Sequence, residues 1–83
     1  MTFATIDELV VHVCRHMTAP VEEVTARVVG DHTNFAIRQH DGELILAELH
    51  QRADTRETLR SFERLLLKQC FAESVRRLLK CDS

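Results

Sequence analysis

The side chains here that could do chemistry are five histidines, three cysteines and a scatter of carboxylates. The most suggestive spacing is ELVVHVCRH, which sets Glu8, His12 and His16 at i, i+4 and i+8. On a helix these three share one side. Two imidazoles four residues apart can hold a zinc ion, with a carboxylate as third ligand. The zinc-protease pattern, however, puts its glutamate between the histidines as a general base. Here Val13, Cys14 and Arg15 stand there. Cys14 falls toward the apolar side of the helix, and Arg15 adds a positive charge beside any cation. The spacing is that of a solvated helix edge, and no metal ligand is assigned. His32 and His40 fall in turns, where histidine is tolerated, and His50 ends a strand.

Signatures of catalysis are missing. Gly30 and Gly42 are the only glycines, too few for a phosphate-binding loop, a dinucleotide loop or a nucleophile elbow. Three cysteines and five histidines offer Cys–His pairs by arithmetic alone, with no orienting third group. Cys14, Cys70 and Cys81 are odd in number and widely spaced, unlike a disulfide framework or a zinc ribbon. A reducing cytoplasm suits them. No charged-then-apolar leader opens the chain, and no apolar run is of membrane-spanning length. The expectation is a cytoplasmic, non-enzymatic protein with no cofactor and no membrane contact.

Eighty-three residues make one domain, 1–83. So small a domain buries a modest share of its surface, and association is one way to secure it. The net charge of -2 argues against a general binder of phosphate backbones. With no Trp or Tyr and four Phe, the aromatic platforms of single-strand binders are nearly absent.

The elements that must position these residues follow from periodicity. TIDELVVHVCRHM carries Ile6, Leu9, Val10, Val13 and Met17 at helical spacing. Thr5 is its expected N-cap, with Glu8 completing a capping box. VEEVTARVV alternates, with Val24, Ala26 and Val28 on one side, as a half-buried strand does. GDHTN reads as a loop. FAIRQ and ELILAELHQ read as strands joined at Asp41-Gly42, the preferred pair for a two-residue turn. A long helix begins at Asp54 or Thr55 and runs to about Lys80. The fold class is therefore α+β, in the order α-β-β-β-α. It has a three-stranded antiparallel sheet, an N-terminal helix and a long C-terminal helix.

A two-residue loop at Asp41-Gly42 makes Ile37 face Leu46 and Phe35 face Glu48. Alternation then puts Phe35, Ile37, Leu44 and Leu46 on one face, and Ala36, Ile45, Ala47 and Leu49 on the other, with Arg38. Apolar side chains point both ways. Either helices cover both faces, or one face or the sheet edge docks a partner chain. The last helix poses the same question. Leu59, Phe62, Leu66 and Cys70 line one side of it, and Leu67, Phe71, Val75 and Leu78 another, about 130° round at helical spacing. One flat core surface cannot cover both stripes. A symmetric partner subunit is the economical cover for the second.

Arg52, Arg56, Arg60, Arg64 and Lys68, with Arg76, Arg77 and Lys80, run down that helix among Glu57, Glu63 and Glu73. Mixed signs usually mark a solvated face. The element order is nonetheless that of double-stranded-RNA-binding domains, which recognise duplex shape with a basic cluster at the start of the last helix. That segment reads RADTRET here, so nucleic acid is the second reading.

DGELILAELHQRADTRETLRSFERLLLKQCFAESVRRLL resembles the closing hairpin-and-helix segment of the type III secretion chaperones and their relatives. The resemblance covers about half the chain and rests on pattern rather than a diagnostic motif. It implies a small, acidic, cytoplasmic homodimer that holds another protein in extended form. By this resemblance Ile45, Ala47 and Leu49, or else Phe35 and Ile37, are partner-facing, and Leu67, Phe71, Val75 and Leu78 form the dimer interface. The chain is shorter than such chaperones and has fewer strands. A phage-encoded inhibitor acting by surface complementarity fits the same composition.

The second stripe gives a direct test. Burying each Phe or Leu contributes about 1.5–3 kcal/mol, and a two-fold contact uses every residue twice. Analytical ultracentrifugation over a hundredfold dilution is expected to show a concentration-dependent homodimer, with Phe71→Asp giving a monomer or unfolded protein. A folded monomer at every concentration, unaltered by Phe71→Asp, would count against the dimer.

Overall fold

The computed structural model describes residues 1–52 and 54–70 in full and, for 71–81, the helical backbone. Strand β1 (Thr2–Phe3) leads into helix α1 (Ile6–His16). The Thr5 hydroxyl accepts from Glu8 N at 3.3 Å, as the capping pattern requires. The Glu8 carboxylate reaches back to Ala4 N at 3.3 Å, one residue earlier than a regular capping box. Strands β2 (Val21–Val29), β3 (His32–Gln39) and β4 (Leu44–Leu49) follow, and helix α2 (Thr55–Cys81) closes the chain. Asp54 caps α2, its Oδ1 accepting from Arg56 N at 2.9 Å and Glu57 N at 3.2 Å.

The α+β class and the two helices are as expected, but the sheet has four strands, in the order β1-β4-β3-β2. It is mixed rather than antiparallel, because β1 runs parallel to β4 with Thr2 opposite Glu48 and Phe3 opposite Leu49. Two residues carry no period to read. Their place is set by long-range bonds, His50 N donating to Phe3 O at 2.8 Å. The GDHTN segment is mostly strand. Val29 pairs with His32, so only Gly30 and Asp31 turn. Gly30 takes φ +63, and among the described residues no non-glycine has positive φ, the pattern of a turn with glycine at its first central position.

The β3–β4 connection corrects the expected register. Gln39 N donates to Glu43 O at 2.9 Å and Gly42 N to Gln39 O at 3.0 Å. The loop is therefore His40, Asp41 and Gly42. Gly42 holds φ +89 while Asp41 does not go positive, which is a turn followed by a left-handed glycine. Ile37 pairs with Ile45 and Phe35 with Ala47. A slip of one residue exchanges the faces of a strand. Leu44 and Leu46 thus leave the face of Phe35 and Ile37, and Ile45, Ala47 and Leu49 join it.

Both helices cover that one face. Leu9, Val10 and Val13 of α1 and Phe62 and Leu66 of α2 pack with Phe35, Ile37, Ile45, Ala47 and Leu49 in a single core cluster. The Phe35 and Phe62 rings stack at 5.0 Å. Aromatic pairing adds about 0.5–1.5 kcal/mol to their area burial. Two buried polar side chains tie the ends together. Gln39 Oε1 accepts from Thr18 N at 2.7 Å and Ala19 N at 2.9 Å, which fixes the α1–β2 link on β3. Thr33 Oγ1 donates to Gln51 O at 2.8 Å.

A Cβ on Gly42 would meet no atom within 4 Å, so substitution there strains the backbone alone. Gly42→Ala is expected to cost about 1–2 kcal/mol, read as a lower urea midpoint with an unchanged slope. No loss of stability would contradict the left-handed turn.

Candidate functional site

Strand alternation sends the remaining side chains of β2, β3 and β4 to the face opposite the helices. Pairing arranges them in three rows that cross all three strands, with Val29 and His32 paired beyond them. Glu23, Arg38 and Leu44 form the first row, Thr25, Ala36 and Leu46 the second, and Arg27, Asn34 and Glu48 the third. The middle row carries no charge and lies between two that do. Leu44 is 57% and Leu46 69% exposed on this face. Around the middle row the face sinks into a depression of about 610 Å³, walled by Met1, Arg27, Asn34 and Glu48.

The polar groups of this face are placed by the sheet. Arg38 pairs with Glu23 across β2 and β3 and lies 4.0 Å from Glu22. Thr25 Oγ1 donates to Ala36 O at 3.4 Å. Asn34 Oδ1 is buried yet meets no hydrogen-bond partner among the described residues. A buried acceptor of this kind costs about 1–3 kcal/mol until a donor reaches it.

The residues expected to face a partner do not lie here. Phe35, Ile37, Ile45, Ala47 and Leu49 are all buried beneath the helices. They are core, and the reason is the three-residue loop that shifts β4 by one place. Leu44, Leu46 and Ala36 occupy the open face instead. Of the expected dimer stripe, Leu67 is 73% exposed, while Phe71, Val75 and Leu78 lie outside the residues whose side chains are described. Leu59, Phe62, Leu66 and Cys70 do point into or border the core.

The histidines come together in two places. His12 and His16 stack at 4.2 Å, and Phe3 lies 4.9 Å from His12. His16 Nδ1 donates to His12 O at 2.8 Å. At the far end of the sheet, sequence reading missed a short chain. His32 Nδ1 donates to Asp31 Oδ1 at 2.6 Å, and His50 Nδ1 lies 2.9 Å from His32 Nε2. A carboxylate can only accept, so neutral His32 presents Nε2 as acceptor and His50 donates to it. Residues 18 apart in sequence meet here because β3 and β4 are antiparallel, which no local spacing signals. Among the described residues no three His, Cys, Asp or Glu side chains converge as a metal site would require.

No family model, no curated protein and no solved structure matches this chain. Among the described residues no helix is long and apolar enough to cross a membrane.

Burial, then the charges of His16 and the N-terminal ammonium, hold the His12 pKa below its ordinary 6.5. Protonation is thus harder in the folded chain. The stability His12 contributes is complete above about pH 6.5 and is lost as the pH falls through its lowered value. The urea midpoint is expected to drop as the pH falls below about 6.5, and His12→Gln to flatten that drop. Equal slopes in the two proteins would refute the assignment.

Proposed function

We propose that this chain is a small non-enzymatic protein-binding module, chaperone- or adaptor-like, that receives an extended apolar segment of another protein on the open face of its sheet. One observation carries the reading: Leu44 and Leu46 stand exposed beside Ala36 and Met1 on a face that no described helix covers. The face offers what an extended segment needs. It has an uncharged middle row with Ala36 and Leu46, and charged rims that set direction. The resemblance to type III secretion chaperones points the same way, with the guest on different residues from those it first implied. In this reading the chain acts as a homodimer through the stripe that begins at Leu67, which leaves the open face of each subunit to its guest.

A peptide array of extended apolar sequences tests this. The wild-type protein is expected to bind a subset of them. Leu46→Asp, a change at an exposed position, should alter stability by about 0.5 kcal/mol or less and remove that binding. Binding unchanged by Leu46→Asp would place the guest elsewhere. RNA co-purifying with the protein and lost in Arg52→Glu/Arg56→Glu would favour the duplex-RNA reading instead.

A further inference from the structure

Cys14 of α1 and Cys70 of α2 lie 56 residues apart in sequence, yet their Sγ atoms are 3.3 Å apart. Cys70 Sγ is also 3.7 Å from Met17 Sδ, so three sulfurs gather where the two helices cross. Both cysteines are half-buried and border the core. A covalent S–S bond of about 2.05 Å needs a closure of roughly 1.3 Å from the observed contact. The polarisable thioether of Met17 can shift to accommodate that movement.

We propose that Cys14 and Cys70 are a reversible thiol–disulfide pair, oxidised by low-molecular-weight disulfides, that locks α1 to α2. The exchange balances in two steps. One cysteine thiolate attacks a sulfur of the small disulfide, forms a mixed disulfide and expels one small thiolate. The other cysteine thiolate attacks the protein-side sulfur, forms the Cys14–Cys70 bond and expels the second small thiolate. The two cysteine protons pass to the two released thiolates. The protein is oxidised by two electrons and the small disulfide is reduced by two. The lock closes a long loop, and its effect on the unfolded chain grows with loop length. It acts on the helix layer behind the sheet and does not depend on what the open face binds.

Oxidised glutathione and the purified full chain provide the test. Trypsin cleaves after Arg15, Lys68 and Arg76, so Cys14 leaves on peptide 1–15, Cys70 on peptide 69–76 and Cys81 on a separate one. The expected product is peptide 1–15 joined to peptide 69–76, from a monomer lighter by two hydrogens and restored by dithiothreitol. In a Cys81→Ser background, oxidation should raise Tm by about 10 °C or more. Mixed disulfides that persist on either cysteine, or crosslinks only between chains, would overturn the pairing. The predicted crosslink with no rise in Tm would overturn the lock.

Discussion

The three-residue β3–β4 loop, in which Gly42 is left-handed and Asp41 is not, decides which side chains of β4 join the core. With His40, Asp41 and Gly42 as the loop, Gln39 closes on Glu43 and every pair along β3 and β4 follows from that bond. Ile45, Ala47 and Leu49 then meet Phe35 and Ile37 on one side, at the depth where Phe62 can stack. A two-residue loop would have split this set and left each helix half a surface to cover. The β4 side chains that meet Phe35 and Ile37, and those left on the open face, follow from that register.

Because one face takes all the large buried groups, 83 residues suffice for a continuous core with two helices on the same side. The arrangement is a half-sandwich. Its second layer is absent among the described residues, so the outward rows meet solvent directly. Gln39 and Thr33 show how so thin a body holds its margins. Each is buried, and each uses its side chain to satisfy backbone groups of a neighbouring connection that the ladder cannot reach.

Strong periodic elements were legible in the residues. The eleven-residue α1, the alternation of β2 and the apolar side of α2 around Phe62 all declare themselves locally. What escaped was set by distance or by a single dihedral. Asp-Gly serves both as a two-residue turn and as the tail of a three-residue one, and only the φ of Asp41 separates them. Phe35 and Ile37 share the core with Ile45, Ala47 and Leu49, whereas the expected register had put the two groups on opposite faces. Strand β1 is two residues long and owes its existence to β4. The sulfur contact and the Asp31–His32–His50 chain join residues with no common local pattern. The open face was anticipated as a surplus of apolar side chains, but which residues composed it was not.

The outermost long strand has a further meaning for how the chain behaves in a crowded solution. Strand β2 is the edge of the sheet over nine residues, and a bare edge is a template for adding strands from other molecules. Its pairing slips between Val21 and Glu23, and Glu22 and Glu23 gather near Arg38 at that same end. An irregular ladder flanked by charge is a poor seed for cross-β growth. At that end the edge is therefore a poor template for another copy of the chain, while Leu44 and Leu46 stay exposed on the sheet face. Stickiness and resistance to aggregation are assigned to perpendicular directions of one sheet.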